Sequence, residues 1–147
     1  MISKMTQRKY QLPDFLTDSH SQGDYEKWLQ RKSQSHLKRD RKRGNITATG
    51  KEYKEAIHQA VCDCNGLDVY TGEWLDWSLM SKWDNDKAQE GGREYKQEFA
   101  LLPSVDHVSD GTGQADFKIC SWRTNDAKND LSLDEFKELC KKVLEKK

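Results

Sequence analysis

Two short apolar segments in the last third of the chain show the pattern of β-strands. Residues 101–108 and 117–122 are rich in β-branched, aromatic and other apolar side chains and are bounded by turn-forming residues. Residues 109–116 between them contain two glycines and several small polar residues, which favour reversal of the chain. The pattern predicts two strands joined by a loop.

Helical signals follow the second strand. Thr124 or Asn125 is suited to cap a short helix over residues 126–130, because its side chain can accept a hydrogen bond from a first-turn amide. Apolar residues then recur at helical spacing over residues 133–145, directly after a Ser-x-x-Glu capping-box pattern. We therefore expect a strand–loop–strand–helix unit over residues 101–131, followed by a C-terminal helix packed against the body.

The first half of the chain is patterned for helices. Residues 24–43 have a sparse apolar face, and residues 51–64 repeat the helical period more strongly. Residues 1–23 are polar and are predicted to form an irregular arm, and residues 84–92 a polar loop. These elements predict an α+β fold, mainly helical, with a single domain over residues 24–147.

Charge is distributed unevenly, although the chain of 147 residues has a formal net charge of zero. Residues 1–50 contain 11 Lys and Arg against 5 Asp and Glu, and the remainder is acidic to the same extent. A basic run lies at the end of the predicted helix 24–43. Such a run is either a solvated surface or a contact for nucleic-acid phosphates. The candidate phosphate contacts are Lys38, Arg39, Arg41, Lys42 and Arg43.

The sequence shows no pattern of export or membrane insertion. It lacks a run of about 18 apolar residues, which a membrane-spanning helix needs, and its N-terminal residues lack the apolar core of a secretory signal. Its four cysteines follow no disulfide framework, so we expect reduced thiols. The prediction is a cytoplasmic protein of bacterial or phage origin without a membrane partner.

Three side chains of the strand–loop–strand–helix unit form a chemical set. Asp106 and Asn125 offer oxygen ligands that suit Mg²⁺ or Mn²⁺. His107, next to Asp106, carries an imidazole that titrates near neutrality and can accept a proton from water. Adjacent strand residues project to opposite faces, so a metal ligand and a base would flank one edge of the hairpin. This layout suits hydrolysis of a phosphodiester.

The spacing of these residues resembles the core of the HNH endonucleases, also called ββα-metal or His-Me finger nucleases. In that family an Asp-His pair precedes a loop, an Asn opens the second strand, and a His or Asn at the helix start follows nine residues later, with a Lys beyond it. The matching residues here are Asp106, His107, Asp116, Asn125 and Lys128. The match covers about residues 101–131.

The resemblance implies a role for each matching position. Asp106 and Asn125 would hold one Mg²⁺ or Mn²⁺, with Asn129 as a weaker candidate ligand on the same helix face. His107 would be the general base, oriented through its other ring nitrogen by a carbonyl or an amide. Asp106, His107 and Asn125 would thus form the catalytic set, and Lys128 would contact a flanking phosphate.

The chain departs from the family pattern in two places. Asp116 replaces the middle Asn, and an Asp can brace the loop with similar hydrogen bonds. Many family members also bind a structural zinc through two cysteine pairs, and the aligned positions here are Asp68, Thr71, Ser121 and Thr124. None is a cysteine, so no structural zinc is expected. Hydrogen bonds and apolar packing would replace it, the packing coming from Tyr70, Trp74 and Trp122.

Together the resemblance and the basic run predict a metal-dependent DNA endonuclease. The resemblance implies hydrolysis of phosphodiester bonds to 5′-phosphate and 3′-hydroxyl ends. Beside a nuclease core, the basic helix is expected to contact DNA phosphates. The alternative is a non-catalytic nucleic-acid-binding protein that retains the HNH scaffold.

Overall fold

A computed structural model describes residues 9–82, 85–108 and 113–147 of the chain. Within these residues, five α-helices accompany a two-stranded antiparallel sheet, so the fold is α+β and mainly helical. In chain order the elements are α1 (Gln22–Lys42), α2 (Gly50–Cys64), α3 (Asn85–Glu98), β1 (Pro103–His107), β2 (Phe117–Ser121), α4 (Trp122–Lys128) and α5 (Leu133–Glu145). None of the described helices combines the length and apolar character needed to cross a bilayer.

Helices α1 and α2 pack against each other, and each begins at a side-chain cap. The Ser21 hydroxyl accepts a hydrogen bond from an α1 amide at 3.1 Å, and the Thr49 hydroxyl does the same for α2 at 3.2 Å. Helix α2 ends where Asn65 and Gly66 adopt positive φ angles of 51° and 87°. A Cβ on Gly66 would lie 2.9 Å from the Trp74 ring, so the close approach also requires glycine.

The hydrophobic core lies between this helix pair and the sheet. Its largest fully buried side chains include Tyr25, Trp28 and Leu29 of α1, Tyr53, Ile57 and Val61 of α2, and Ile119 of β2. The predicted helical face of α1 is confirmed by these contacts. Leu16, in a short 3₁₀ turn before α1, is also fully buried, so the described part of the N-terminal arm contributes to the core.

The two faces of the β-hairpin have different neighbours. Strand pairing runs from Pro103 opposite Ser121 to His107 opposite Phe117. Because side chains alternate along a strand, His107 and Phe117 share the face that packs against α1 and α2. Asp106 lies on the other face, which packs against α4. Adjacent residues of β1 thus meet different parts of the molecule.

Two predicted elements differ from the structure, and part of a third lies outside the described residues. The prediction of a polar loop over residues 84–92 was wrong, because α3 begins at Asn85. The helix continues past Gly92, where a φ of 55° interrupts the helical backbone. Lys, Ala, Gln and Glu in that segment are good helix formers and outweigh the glycines. The helix predicted over residues 126–130 begins earlier, because Ser121 caps it with a 3.0 Å hydrogen bond. Residues 109–112 of the predicted hairpin loop lie outside the described residues.

Helix α5 has the predicted bounds but not the predicted packing. The reciprocal capping box of Ser132 and Glu135 is confirmed. However, no residue of α5 is buried, and Leu139, Val143 and Leu144 are exposed. The packing of α5 is confined to its first half, where Leu133 and Phe136 are half-buried beside Tyr70 and Thr124.

Candidate active site

A cleft of about 680 Å³ lies between the C-terminal part of α1, the end of β1 and helix α4. All three predicted catalytic residues, Asp106, His107 and Asn125, line it. Arg39 and Arg43 line the α1 side of the same cleft. The structure therefore brings the predicted carboxylate, amide and imidazole to one solvent-accessible space.

Asp106 is buried, and its Oδ2 atom has two donors. The Tyr70 hydroxyl donates to it at 2.6 Å, and the Lys128 ammonium at 3.1 Å. Lys128 lines the cleft but is only 4% exposed, so its predicted contact with a phosphate stays a prediction that requires the pair with Asp106 to open. A buried carboxylate and a buried ammonium are each costly, and their pairing compensates both.

Asn125 is oriented by β1. Its amide nitrogen donates to the Ser104 hydroxyl at 2.9 Å and to the Val105 carbonyl at 3.4 Å. This leaves the amide oxygen as the atom suited to a cation. Asn129 also lines the cleft, but α4 ends at Lys128 and Asn129 has a φ of 52°. The prediction that Asn129 continues the helix face of Asn125 was therefore wrong.

His107 is oriented by a carboxylate from another part of the chain. Its Nδ1 lies 2.9 Å from Asp40 Oδ2, and the Tyr53 hydroxyl donates to the same oxygen at 2.5 Å. The predicted orienting group, a carbonyl or an amide, is thus replaced by Asp40 of α1. A carboxylate only accepts hydrogen bonds, so its position 2.9 Å from Nδ1 favours the tautomer with the proton on Nδ1 and with Nε2 as the basic nitrogen.

Burial keeps the imidazoles around the cleft neutral. Desolvation lowers the pKa of His107, although the charge of Asp40 acts in the opposite direction. Burial also lowers the pKa of His36 to about 3, helped by the nearby charge of Arg39. The His36 ring packs edge-on against the His107 ring with centroids 6.1 Å apart. A neutral His107 is the form that can accept a proton near neutral pH.

Burial likewise keeps both tyrosine donors protonated. Desolvation raises the pKa of Tyr70 above its usual range, and the hydrogen bond to Asp106 raises it further. The pKa of Tyr53 is raised by burial and by Asp40 in the same way. Each hydroxyl therefore remains a hydrogen-bond donor to its carboxylate at physiological pH.

The basic run of α1 divides between two faces of the helix. Arg39 and Arg43 line the cleft, and both are exposed. The other three predicted contacts, Lys38, Arg41 and Lys42, are exposed on a separate shallow groove beside Leu37. Helical spacing explains the division, because residues four apart share a face.

Asp116 is exposed at the start of the second half of the hairpin. Its backbone carbonyl accepts a 2.9 Å hydrogen bond from the Val108 amide and extends the strand pairing by one position. Residues 109–112, which its side chain was predicted to brace, lie outside the described part of the chain. The bracing role of Asp116 remains a prediction.

The four positions that align with zinc ligands are joined by hydrogen bonds centred on Asp68. Its Oδ1 accepts from the Tyr70 and Thr71 amides at 2.8 and 3.1 Å. Its Oδ2 accepts from the Ser121 amide and the Thr124 hydroxyl at 2.9 and 2.8 Å. Burial alone would raise the pKa of Asp68, but these bonds outweigh it and lower the pKa.

These four residues do not fit a zinc ion, because they present no thiolate or imidazole. Instead, the Asp68 carboxylate ties the segment after α2 to the corner between β2 and α4. The Trp74 ring packs closely against Gly66, but 69% of this side chain is exposed, so its contribution is smaller than predicted.

Sequence reasoning missed Asp40, Tyr53 and His36 as site residues. In the sequence, Asp40 stands as a single acid within a basic run. A usable signal was present, because the buried positions of α1 continue at helical spacing from Leu29 through Ser33 to His36 and Asp40. Polar side chains that extend an apolar stripe are expected to be buried, and a buried carboxylate needs a donor.

The oxygen donors of the cleft are of the chemical type that a hard cation binds. Asp106 and Asn125 supply two oxygens, and Mg²⁺ commonly binds to one or two protein ligands while keeping several waters. Among the described residues, no three His, Cys, Asp or Glu side chains converge to hold a metal. The Lys128 ammonium competes with a cation for Asp106. A site that binds Mg²⁺ therefore requires this ion pair to open or to share the carboxylate.

Comparisons with protein-family models, with curated proteins and with solved structures found no match for this chain. Its function is therefore inferred from the side chains of the cleft and their geometry.

Proposed function

We propose that the chain is a metal-dependent DNA endonuclease whose β1, β2 and α4 form a ββα-metal core of the HNH type. The observation that supports this most directly is the convergence of Asp106, His107 and Asn125 on one cleft. The carboxylate of Asp40, 2.9 Å from His107 Nδ1, supports the proposal because it favours the tautomer that a general base needs.

Asp106 and the amide oxygen of Asn125 would hold the cation, Mg²⁺ or Mn²⁺. When bound, the cation would neutralise charge on the scissile phosphate and on the leaving oxygen. Before this, Lys128 must release or share Asp106, because a buried carboxylate with an ammonium at 3.1 Å is already compensated.

His107 supplies the base. With Nδ1–H directed to Asp40, Nε2 accepts a proton from a water molecule, and the resulting hydroxide forms a new bond to phosphorus. The bond from phosphorus to the 3′-oxygen breaks, and that oxygen takes a proton from solvent. The products are a 5′-phosphate and a 3′-hydroxyl, as in the family that the core resembles.

DNA phosphates would lie along the α1 side of the cleft. Arg39 and Arg43 are exposed there, whereas Asp126, Asp130 and Glu135 line the opposite side. Opposite charges on the two rims favour a phosphate backbone along α1 and repel it from α4 and α5. This assigns DNA contact at the site to two of the five basic residues predicted from the sequence.

Nicking of a supercoiled plasmid tests the proposal. Purified protein with Mg²⁺ or Mn²⁺ is expected to nick the plasmid, and a chelator is expected to stop the reaction. His107→Ala should lower the rate by about 10²–10⁴-fold while leaving DNA affinity unchanged. His58→Ala, on α2 and outside the cleft, is the matched control. Nicking that survives the chelator, or equal rates for His107→Ala, would refute the proposal.

A non-catalytic nucleic-acid-binding protein is the second candidate. The ion pair between Asp106 and Lys128 favours it, because the carboxylate is satisfied without a metal. Binding of plasmid DNA with no nicking under either cation would select this function over the nuclease.

A further inference from the structure

Asp40 lies on α1, outside the hairpin and α4, yet its side chain ends at the candidate base. It is 1% exposed, and its Oδ2 accepts a hydrogen bond from the Tyr53 hydroxyl at 2.5 Å. The same oxygen lies 2.9 Å from His107 Nδ1. Its Oδ1 lies 3.6 Å from the guanidinium of Arg43, which is exposed. Asp40 thus links α1, α2 and β1 at one carboxylate.

The burial of this carboxylate is costly and calls for an explanation beyond packing. An ionised carboxylate removed from water loses hydration that only well-formed hydrogen bonds replace. Tyr53 supplies one of those bonds from α2, and Asn45 in turn donates to the Tyr53 hydroxyl at 3.4 Å. The carboxylate is therefore held in place by groups that do not reach the cleft.

We propose that Asp40 is a positioning residue for His107, with Tyr53 holding Asp40 in place. This inference rests on the proposed nuclease function and adds a residue to it that lies outside the ββα unit. Asp40 fixes the ring orientation and the Nδ1–H tautomer, so that Nε2 faces the cleft. Its charge also stabilises the imidazolium that forms when Nε2 accepts the proton.

Two substitutions separate orientation from charge. In Asp40→Asn, an amide oxygen at the Oδ2 position still accepts from both donors, so the tautomer is retained but the charge is lost. Asp40→Ala removes both. Tyr53→Phe leaves the bond between Asp40 and His107 but removes the group that holds the carboxylate. Asp63→Asn, an exposed site on α2, controls for the change in net charge.

The first measurement is the tautomer of His107, from two-dimensional ¹H–¹⁵N spectra of ¹⁵N-histidine protein at about pH 8, where imidazoles are neutral. His107→Gln assigns its signals among the four histidines. We expect Nδ1–H in the wild type and in Asp40→Asn, and a loss of this preference in Asp40→Ala. A wild-type His107 with its proton on Nε2 would overturn the proposal. This measurement requires neither DNA nor metal.

The second measurement is the rate of plasmid nicking in these variants. Asp40→Asn should lower kcat by about 10–100-fold with KM within about twofold, and Asp40→Ala by at least as much. Tyr53→Phe should lower kcat by about fivefold. Wild-type kcat in Asp40→Asn and Asp40→Ala would overturn the positioning role. If Asp40→Ala does not fold, the isosteric Asp40→Asn decides the question.

The two measurements distinguish a failure of this inference from a failure of the proposed function. If the wild type does not nick DNA under any cation, the nuclease proposal fails. The tautomer then decides by itself whether Asp40 positions the ring.

Discussion

Asp40 and Asp106 are two buried carboxylates with nearly the same surroundings and different uses. In each, one oxygen accepts from a tyrosine hydroxyl, at 2.5 Å for Asp40 and 2.6 Å for Asp106. The same oxygen also meets a nitrogen, which belongs to His107 for Asp40 and to Lys128 for Asp106. An imidazole can release and accept protons near neutrality, whereas an ammonium is a compact cation. In the proposed nuclease, Asp40 therefore orients a base, whereas Asp106 binds a metal only when Lys128 releases or shares it.

The origin of the partners differs as well. Asp106 and Lys128 belong to β1 and α4, within one short stretch of the chain. Asp40 reaches His107 from α1, across the helix pair. Asp68 provides a third case, since its four donors are amides and a hydroxyl without any charge partner. A carboxylate surrounded in this way has a structural role.

Removing Lys128 is expected to produce the largest effect on stability. Lys128→Met would leave the buried Asp106 carboxylate without its cation, which costs about 3–5 kcal/mol in similar buried pairs. If Asp106 is a metal ligand, Mg²⁺ should restore part of this stability and raise the Tm of the variant more than that of the wild type. Calorimetry with and without Mg²⁺ measures both effects. An equal Mg²⁺ response in the two proteins would argue against Asp106 as a ligand.

Removing Asp68 tests the structural carboxylate. Asp68→Ala would leave the Ser121 amide and the Thr124 hydroxyl, both buried, without their acceptor and lower the unfolding free energy by about 3 kcal/mol. Asp63→Ala, on the exposed face of α2, should change it by less than about 0.5 kcal/mol. Urea unfolding of both variants provides the comparison. A decrease for Asp68→Ala as small as that of the control would refute the structural role.

As pH falls, the part of the site around His36 should lose stability at a higher pH than the hydrogen bonds of Asp68 do. Burial holds the pKa of His36 at about 3, with Arg39, His107 and Lys32 adding to the effect. The unfolded chain therefore binds more protons, so this stability is present above about pH 6.5 and is lost as pH falls toward about 3. Each fully displaced proton corresponds to a slope of about 1.4 kcal/mol per pH unit.

Urea unfolding between about pH 7 and pH 5 measures the histidine contribution separately from that of Asp68. The pKa of Asp68 is lowered, so the stability that depends on its charge is lost only at lower pH. His36→Gln is expected to flatten the decline without abolishing it, because the pKa of His107 is lowered as well. An unchanged slope in His36→Gln would show that the folded protein does not hold His36 neutral.

The smallest effect is expected from the exposed charges on the rim of the cleft, Arg39 and Arg43, of which Arg43 lies 3.6 Å from Asp40 Oδ1. Replacing Arg39 and Arg43 by Gln should weaken DNA binding and reduce the salt slope of log K by about 0.9 for each phosphate that the protein no longer neutralises. Replacing Lys38 and Lys42 by Gln, on the other face of α1, is the matched control. Equal slopes for the two double variants would show that α1 binds DNA without a preferred face.

Local sequence patterns predicted most element positions. The two strands, α2 and α5 lie within a few residues of their predicted bounds, because alternating or helical apolar spacing and side-chain caps act over neighbouring residues. Where several residues could cap a helix, the predicted start differs from the observed one by a few residues. Ser121 caps α4, and Thr124 and Asn125 lie inside the helix. The segment with Gly91 and Gly92 is helical because its other residues favour a helix.

The sequence by itself determined that Asp106 and His107 lie side by side on a strand with Asn125 on the following helix, since pleating and short connections leave little freedom over that distance. Only the tertiary structure decided which groups surround them. Every buried carboxylate needs a hydrogen-bond donor. The packing of α1 and α2 on the sheet places Asp40 beside His107 and Tyr53 beside Asp40. The same requirement is met for Asp106 by the ammonium of Lys128 at 3.1 Å.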